Sequence, residues 1–363
     1  MASKPEDRIE ILFNLLRRGS NVTTCDPGEW LACNLCDTLC VQFLLRLSLS
    51  ADLITLVTTN GAIIEGKITE PKTRTLACVQ VVELSGYSSP ILLKLYDRRF
   101  ATQLRKNYRA QAWTREVESL HRDLVHSGQQ TALWKQWQAE EDGKADSQDE
   151  NEDDGTIKST ESFLQFRCHQ DYQTECHAYE LMSDLQGVEV PKIHGTVTVA
   201  TSDASNKYLN IPGILMQYIK GSSLDNLATT MHRQYWQATC DRAIQIIHHV
   251  QDRGICNTDT NVRCFIVQGH KIVEGVPEIF MVDFGQCLFR DRFESEEDFR
   301  RKQADADEEG AIGVIMQRKL KDDYKYRPSL TAMRLSFDFM LQEDDPDQPT
   351  WEEFLSREQE YYA

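Results

Sequence analysis

The sequence predicts an α+β fold in which a small antiparallel sheet with one long helix precedes a mainly helical part. Three observations carry that reading. Between residues 62 and 96, short apolar runs alternate with turn residues, the mark of a strand meander. In segments 163–185 and 236–250 the apolar residues recur every three or four positions, as on one face of a helix. Finally, Ile279-Phe280-Met281-Val282 reads as a buried strand that delivers Asp283 into a Phe284-Gly285 turn. A chain of 363 residues can form one large domain or two lobes.

The elements follow in order. Residues 1–50 read as an N-terminal extension, partly helical, because Ile9, Ile11, Leu12, Leu15 and Leu16 keep helical spacing. Cys25, Cys33, Cys36 and Cys40 offer enough thiols for zinc. No histidine lies nearby, however, and the spacing matches no standard pair of pairs, so packing as small apolar side chains is preferred. The stretch 30–57 is the most apolar of the chain, yet Asp37, Arg46 and Asp52 interrupt it and no membrane span is expected. Strands are predicted at 62–68, 78–83 and 90–96, followed by a charged, helix-like segment from Phe100 past Trp113 to Trp137. Segment 138–160 is predicted to be a disordered acidic insertion, since residues 140–154 hold nine Asp and Glu against a single lysine, Lys144. A helix over 163–185 stops at Gly187 and Pro191, and strands are expected at 193–200 and 214–219. A helix through Trp236, Cys240, Ala243, Ile247 and Val250 ends at Gly254. Segments 255–267 and 271–282 are β-rich, 311–320 is a last apolar helix, and 346–363 reads as a tail. There is no internal repeat.

The bulk composition narrows the function. A formal net charge of −17 argues against a nucleic-acid surface, which needs a basic stripe. Lys4, Glu6, Asp7 and Arg8 precede any apolar run, so no secretory signal is expected. Eleven scattered cysteines favour reduced thiols and a cytoplasmic or nuclear setting.

The order of these elements, with a few residues at fixed places in it, resembles a protein kinase. Leu92-Leu93-Lys94-Leu95 is similar to the third-strand motif whose lysine meets the α- and β-phosphates of ATP. Glu175 resembles the helix glutamate that pairs with this lysine, with Glu180 on the same helix as the competing choice. The run 215–224 resembles the hinge, with Met216 at the position that gates the adenine pocket. Asp259 stands before Asp283 as a catalytic-loop aspartate stands before the metal-binding Asp-Phe-Gly. The strings Leu-Lys-Leu-Tyr-Asp-Arg-Arg-Phe, residues 93–100, and Val-Asp-Phe-Gly-Gln, residues 282–286, resemble those of a large group of fungal protein-kinase-like proteins. The resemblance covers residues 62–320.

It implies a degenerate eukaryotic-type protein-kinase fold, α+β and bilobal, with an N-lobe at 51–220, a hinge, and a reduced helical C-lobe at 221–345. It also implies a site. Lys94 would hold the phosphates and Glu175 would orient it. Met216, Tyr218 and Ile266 would line the nucleotide, Asp283 would bind magnesium, and Asp259 would take the proton of the accepting hydroxyl. The implied cofactors are ATP and Mg2+, one ion rather than two; the implied partners are a nucleotide and a protein, with no nucleic acid and no membrane. Oligomeric state is left open.

Three departures weigh against ordinary kinase activity. Cys264 stands where the catalytic loop places an Asn for a second magnesium, and a thiol is a poor ligand for that hard ion. The segment 69–77, read as the phosphate-cradling loop, holds no glycine, leaving Lys72, Thr73, Arg74 and Thr75 as partial substitutes. The charged segment 284–308 lacks an Ala-Pro-Glu anchor, and Glu308 takes the place of an expected aspartate before Gly313. The expected function is that of a protein-kinase-like, ATP-binding protein that, if active, transfers the ATP γ-phosphoryl to a protein Ser/Thr hydroxyl. The alternatives are a pseudokinase acting as a scaffold and a small-molecule phosphotransferase of the aminoglycoside or choline kinase type. His248 and His249 end a helix, where cations suit the dipole, and are given no catalytic role.

Overall fold

A computed structural model describes residues 41–48, 53–58, 63–74, 76–141, 157–199, 207–340 and 349–362. The expected N-terminal helix, the cysteines at 25, 33, 36 and 40, and most of the acidic insertion lie outside the described residues. The chain forms two compact units, Met1–Cys176 with Lys192–Tyr218, and His177–Pro191 with Ile219–Ala363. The sequence suggested a single boundary near residue 220. Instead 177–191 belongs with the second unit, because its polar groups bond there. The Glu189 carbonyl accepts the Met281 N–H at 2.8 Å, and its carboxylate meets Arg242 at 2.6 Å.

The first unit is built on a curled sheet. Its strands are β1 (Val41–Ser48), β2 (Leu53–Thr58), β3 (Ile63–Arg74), β4 (Cys78–Leu84), β5 (Ile91–Leu95), β6 (Ile193–Val199) and β7 (Ile211–Gln217). They run in the order β1-β2-β3-β4-β5-β7-β6, all neighbours antiparallel, and the parallel pairing of β1 with β6 closes a barrel. Alternate residues fill the interior: Ile54, Leu56, Val82, Leu84, Ile91, Leu93, Leu95, Val197, Val199 and Leu215 form one apolar cluster. Two strands, β1 and β2, fall where the sequence suggested an extension and only an interrupted apolar stretch. Period-two burial of Ile54 and Leu56 is what makes β2 a strand. The supposed phosphate loop is also corrected, since 69–74 continues β3, paired with β4 through two register shifts. β7 lies close against β5 because Gly213 has no side chain; a Cβ there would stand 2.7 Å from the Lys94 carbonyl oxygen.

The charged segment after β5 is three helices rather than one: α1 (Thr102–Asn107), α2 (Arg115–His126) and α3 (Gln129–Glu141). Left-handed residues punctuate it, Arg109 at φ 53° and Gly128 at φ 82°, and the Thr114 hydroxyl caps α2 by accepting the Val117 N–H. Then α4 (Ile157–Leu181) follows. Trp134 packs edge-on against Phe166, His169 and Tyr208, fixing α3 on α4.

The string at 93–100 forms a buried polar network. Arg98 bonds both Glu161, 1% exposed, and Glu118, at 2.6 Å to the latter, while Arg105 reaches Glu161 at 2.5 Å. Asp97 takes Arg99 in a two-pronged pair at 2.9 and 2.7 Å.

The second unit contains β8 (Ser222–Ser223), α5 (Leu227–Thr230), α6 (Trp236–Gln251), β9 (Ile255–Asn257), β10 (Phe265–Val273), β11 (Val276–Met281), β12 (Cys287–Phe289), α7 (Glu296–Ala306), α8 (Glu308–Leu320), α9 (Leu330–Met340) and α10 (Trp351–Tyr362). Ala243, Ile246, Ile247 and Val250 of α6 are buried, as the sequence period required. The β-rich segments divide differently from the sequence expectation. β9 is short and pairs with β12, and β10 begins only at Phe265, because Asn- and Thr-rich residues 258–261 form a turn. β10 and β11 make a hairpin whose turn uses Glu274 at φ 51° and Gly275 at φ 84°. The charged segment 284–308 holds β12 and α7, the latter capped by Ser295 accepting the Asp298 N–H. Part of the expected tail is α10, whose Phe354 packs with Met333 and Phe337 of α9.

Candidate functional site

In the first unit, Lys94 sits on β5 with its neighbours Leu93 and Leu95 turned into the barrel core, so the strand's alternation directs it to the opposite face. It is not a solvated edge lysine, being only 7% exposed. Its Nζ lies 2.5 Å from Oε2 of Glu175, which is fully buried on α4. The competing Glu180 faces His177 instead, at 3.5 Å. A buried ion pair repays its desolvation only when further hydrogen bonds satisfy it. Here the Tyr96 hydroxyl donates to the same Oε2. Met216 is buried on β7 in register with Leu92 of β5, and Tyr218 follows that strand, half-buried.

In the second unit the residues from Asn257 to Cys264 form a tied loop. The Asn257 side chain acts twice: its Nδ2 donates to the Asp283 carbonyl at 3.0 Å, and its Oδ1 accepts the Asp259 N–H at 3.1 Å. Glu308 anchors the loop from α8. Its Oε1 accepts the Asn257 N–H at 3.1 Å and the Thr260 hydroxyl at 3.2 Å, and its Oε2 accepts Gln251 at 2.9 Å. Burial pushes the Glu308 carboxyl up to about 7, against the lowering effect of these donors.

Asp283 has φ 74°, a left-handed conformation that a non-glycine residue adopts only when its surroundings enforce it. Two features enforce it here. The Asn257 amide holds its carbonyl, and the buried Phe284 ring packs edge-on against Tyr179 at 5.3 Å. Asp259 is accessible to solvent. Partial desolvation and then the nearby Asp283 carboxylate raise its pKa above the usual carboxylate value, and Arg263 opposes this. Ile266 stands on β10 opposite Phe280.

These groups can do specific chemistry. Two neighbouring carboxylates repel one another, and a hard divalent cation on Asp283 would relieve that repulsion. No group of three or more His, Cys, Asp or Glu that could hold a metal exists among the described residues, so such an ion would take most of its ligands from phosphate and water. Cys264 does not add a ligand. Its thiol is buried and lies 3.5 Å from the Asp259 carbonyl oxygen, serving to close the loop.

Sequence reasoning missed the roles of Tyr96, Asn257 and Glu308. Tyr96 was legible from period two, which puts it on the face of Lys94. Glu308 stood out only as an unexpected residue, and its partners lie too far along the chain for spacing to find them. The rings of His248 and His249 lie within hydrogen-bond reach of Glu309, at 2.7 Å, and Glu189, at 2.9 Å.

No protein-family model matches the chain, and no curated protein matches it. Among the described residues no helix is long and apolar enough to cross a membrane.

Proposed function

We propose that this chain is a protein-kinase-like, nucleotide-binding protein that transfers the γ-phosphoryl of ATP to a protein hydroxyl, using one magnesium ion. The observation that carries the reading is the buried pair of Lys94 and Glu175, joined across 81 positions of sequence at 2.5 Å. An ammonium held this way off the solvent is a ready phosphate contact, because only part of its charge is committed to the glutamate. The strained Asp283 and the tied loop bearing Asp259 favour the same reading in the second unit.

In this proposal each residue has one task. Lys94 binds the α- and β-phosphates, Glu175 orients Lys94, and Met216, Tyr218 and Ile266 receive the base. Asp283 holds the magnesium, which when bound neutralises phosphate charge. Asp259 accepts the hydroxyl proton, and its raised pKa brings it nearer the working range of a general base. The described cysteines are all free thiols, in keeping with a reducing compartment, cytoplasm or nucleus.

One observation favours a second reading, a pseudokinase that binds nucleotide as a scaffold. The Cys264 thiol is spent on the loop backbone, which leaves that position without a second-metal ligand. The two readings part in a phosphotransfer assay with γ-labelled ATP. The enzyme reading expects label in protein Ser or Thr, abolished in Asp259→Ala. Nucleotide binding with no transfer in the native chain would leave the scaffold.

A further inference from the structure

We propose that Tyr96 is a positioning residue for Lys94, a third member of the ion pair that keeps Glu175 satisfied while the lysine is shared with an anion. This rests on the reading that Lys94 meets phosphate.

Three side chains converge at one carboxylate oxygen. Oε2 of Glu175 takes the Lys94 ammonium at 2.5 Å and the Tyr96 hydroxyl as well. Lys94 is on β5 and Tyr96 stands one residue past its end, two positions apart along the chain, and both reach the same carboxylate oxygen. The Lys94 Nζ lies 5.4 Å from the centroid of the Tyr96 ring, within cation–π reach. The tyrosine is itself fixed at both ends. Its N–H donates to the Pro212 carbonyl at 2.9 Å, and its ring meets Tyr172 of α4 edge-on at 5.6 Å.

The chemistry explains why a phenol belongs there. A fully buried carboxylate is stable only with donors on it. If the lysine were its chief donor, drawing the ammonium toward a phosphate would leave the glutamate bare and would be opposed. A hydroxyl on the same oxygen remains in place when the lysine moves, and a neutral donor adds no charge that would compete for the anion. Tyr96 also fixes the carboxylate's direction, hence where the ammonium rests.

The test reads Lys94 without any nucleotide. The full chain is labelled with acetic anhydride across a pH series, and acylation of Lys94 is compared with that of exposed Lys192 by peptide mass spectrometry. Tyr96→Phe keeps the ring and removes the hydroxyl. With the hydroxyl lost from the carboxylate, Lys94 becomes its chief donor and is held more firmly as the ammonium, so it is expected to acylate about tenfold more slowly, its pH profile moved to higher pH. The same change made on a Glu175→Gln background is expected to have no effect, since the carboxylate through which Tyr96 acts is gone. Unchanged labelling in Tyr96→Phe would overturn the proposal. So would faster labelling, or a change that persists in Glu175→Gln, because either would mean a general loosening of the strand and not an effect through the carboxylate. A separate arm adds Mg·ATP to the native chain. Failure of ATP to protect Lys94 would count against the nucleotide reading, whereas the coupling between Tyr96 and Glu175 is scored by the first arm alone.

Discussion

Replacing Glu308 with Gln exposes what a buried carboxyl costs this fold. Glu308 is 1% exposed, and burial raises its pKa from 4.5 to about 7. The sign follows from linkage. The unfolded chain releases this proton near 4.5 and the folded one near 7, so the folded state holds more protons in between. The group's stabilising contribution is complete below about pH 4.5 and is lost as pH rises through about 7. A displacement of that size is worth about 3 kcal/mol. Glutamine has the same shape and never ionises, so the native chain should lose about 3 kcal/mol relative to Glu308→Gln between pH 5 and pH 8. Glu309, held below the usual carboxylate range mainly by its bond from His248 against burial, titrates alike in both proteins and cancels in the difference. Urea unfolding followed by tryptophan fluorescence at several pH values gives that difference directly. Two stability curves that run parallel over the whole range would refute the burial argument.

Three further predictions follow from single contacts. Asn257→Ala removes the bonds to the Asp283 carbonyl and from the Asp259 N–H, and should cost about 2 kcal/mol, with faster hydrogen exchange at the Asp259 amide than in the native chain. Gly313→Ala would drive a methyl into the ring of the buried Tyr326, so thermal unfolding should report a loss of about 1–3 kcal/mol from overpacking. His121 is buried on α2 and held neutral, burial and then the Arg98 charge lowering its pKa well below 6.5. Its unfolded form takes up a proton below about 6.5, so stability falls as pH drops from there; acid titration of His121→Phe should show a smaller fall.

Much of the fold was written in local patterns. Period two gave β4, β5 and β6 within a residue or so, and the 3.6 period gave α4 and α6, because one buried face was enough to fix each. Strands β1 and β2 were illegible for a physical reason: Arg46 and Asp52 break the apolar run, and only pairing within the barrel gives the alternation meaning. The end of β3 was misread because Pro71 and the polar residues around it look like a loop, and the two register shifts are what carry them in a strand. At the site, Lys94 and Glu175 were legible through resemblance alone, and the choice between Glu175 and Glu180 needed the helix in place. The ties of the Asn257 side chain run to backbone groups, and Glu308 joins a backbone N–H to the distant side chains of Thr260 and Gln251, which no local pattern encodes.

The proposed function requires that Lys94 and Asp283 each contribute to the binding of Mg·ATP. It is tested most directly by the shift in unfolding free energy on adding Mg·ATP to the native chain, to Lys94→Met and to Asp283→Asn. At one hundred times the dissociation constant the native chain should gain about 2–3 kcal/mol, and each variant should lose most of that gain while keeping its own fold. No shift in the native chain at millimolar nucleotide, or an equal shift in all three proteins, would contradict it.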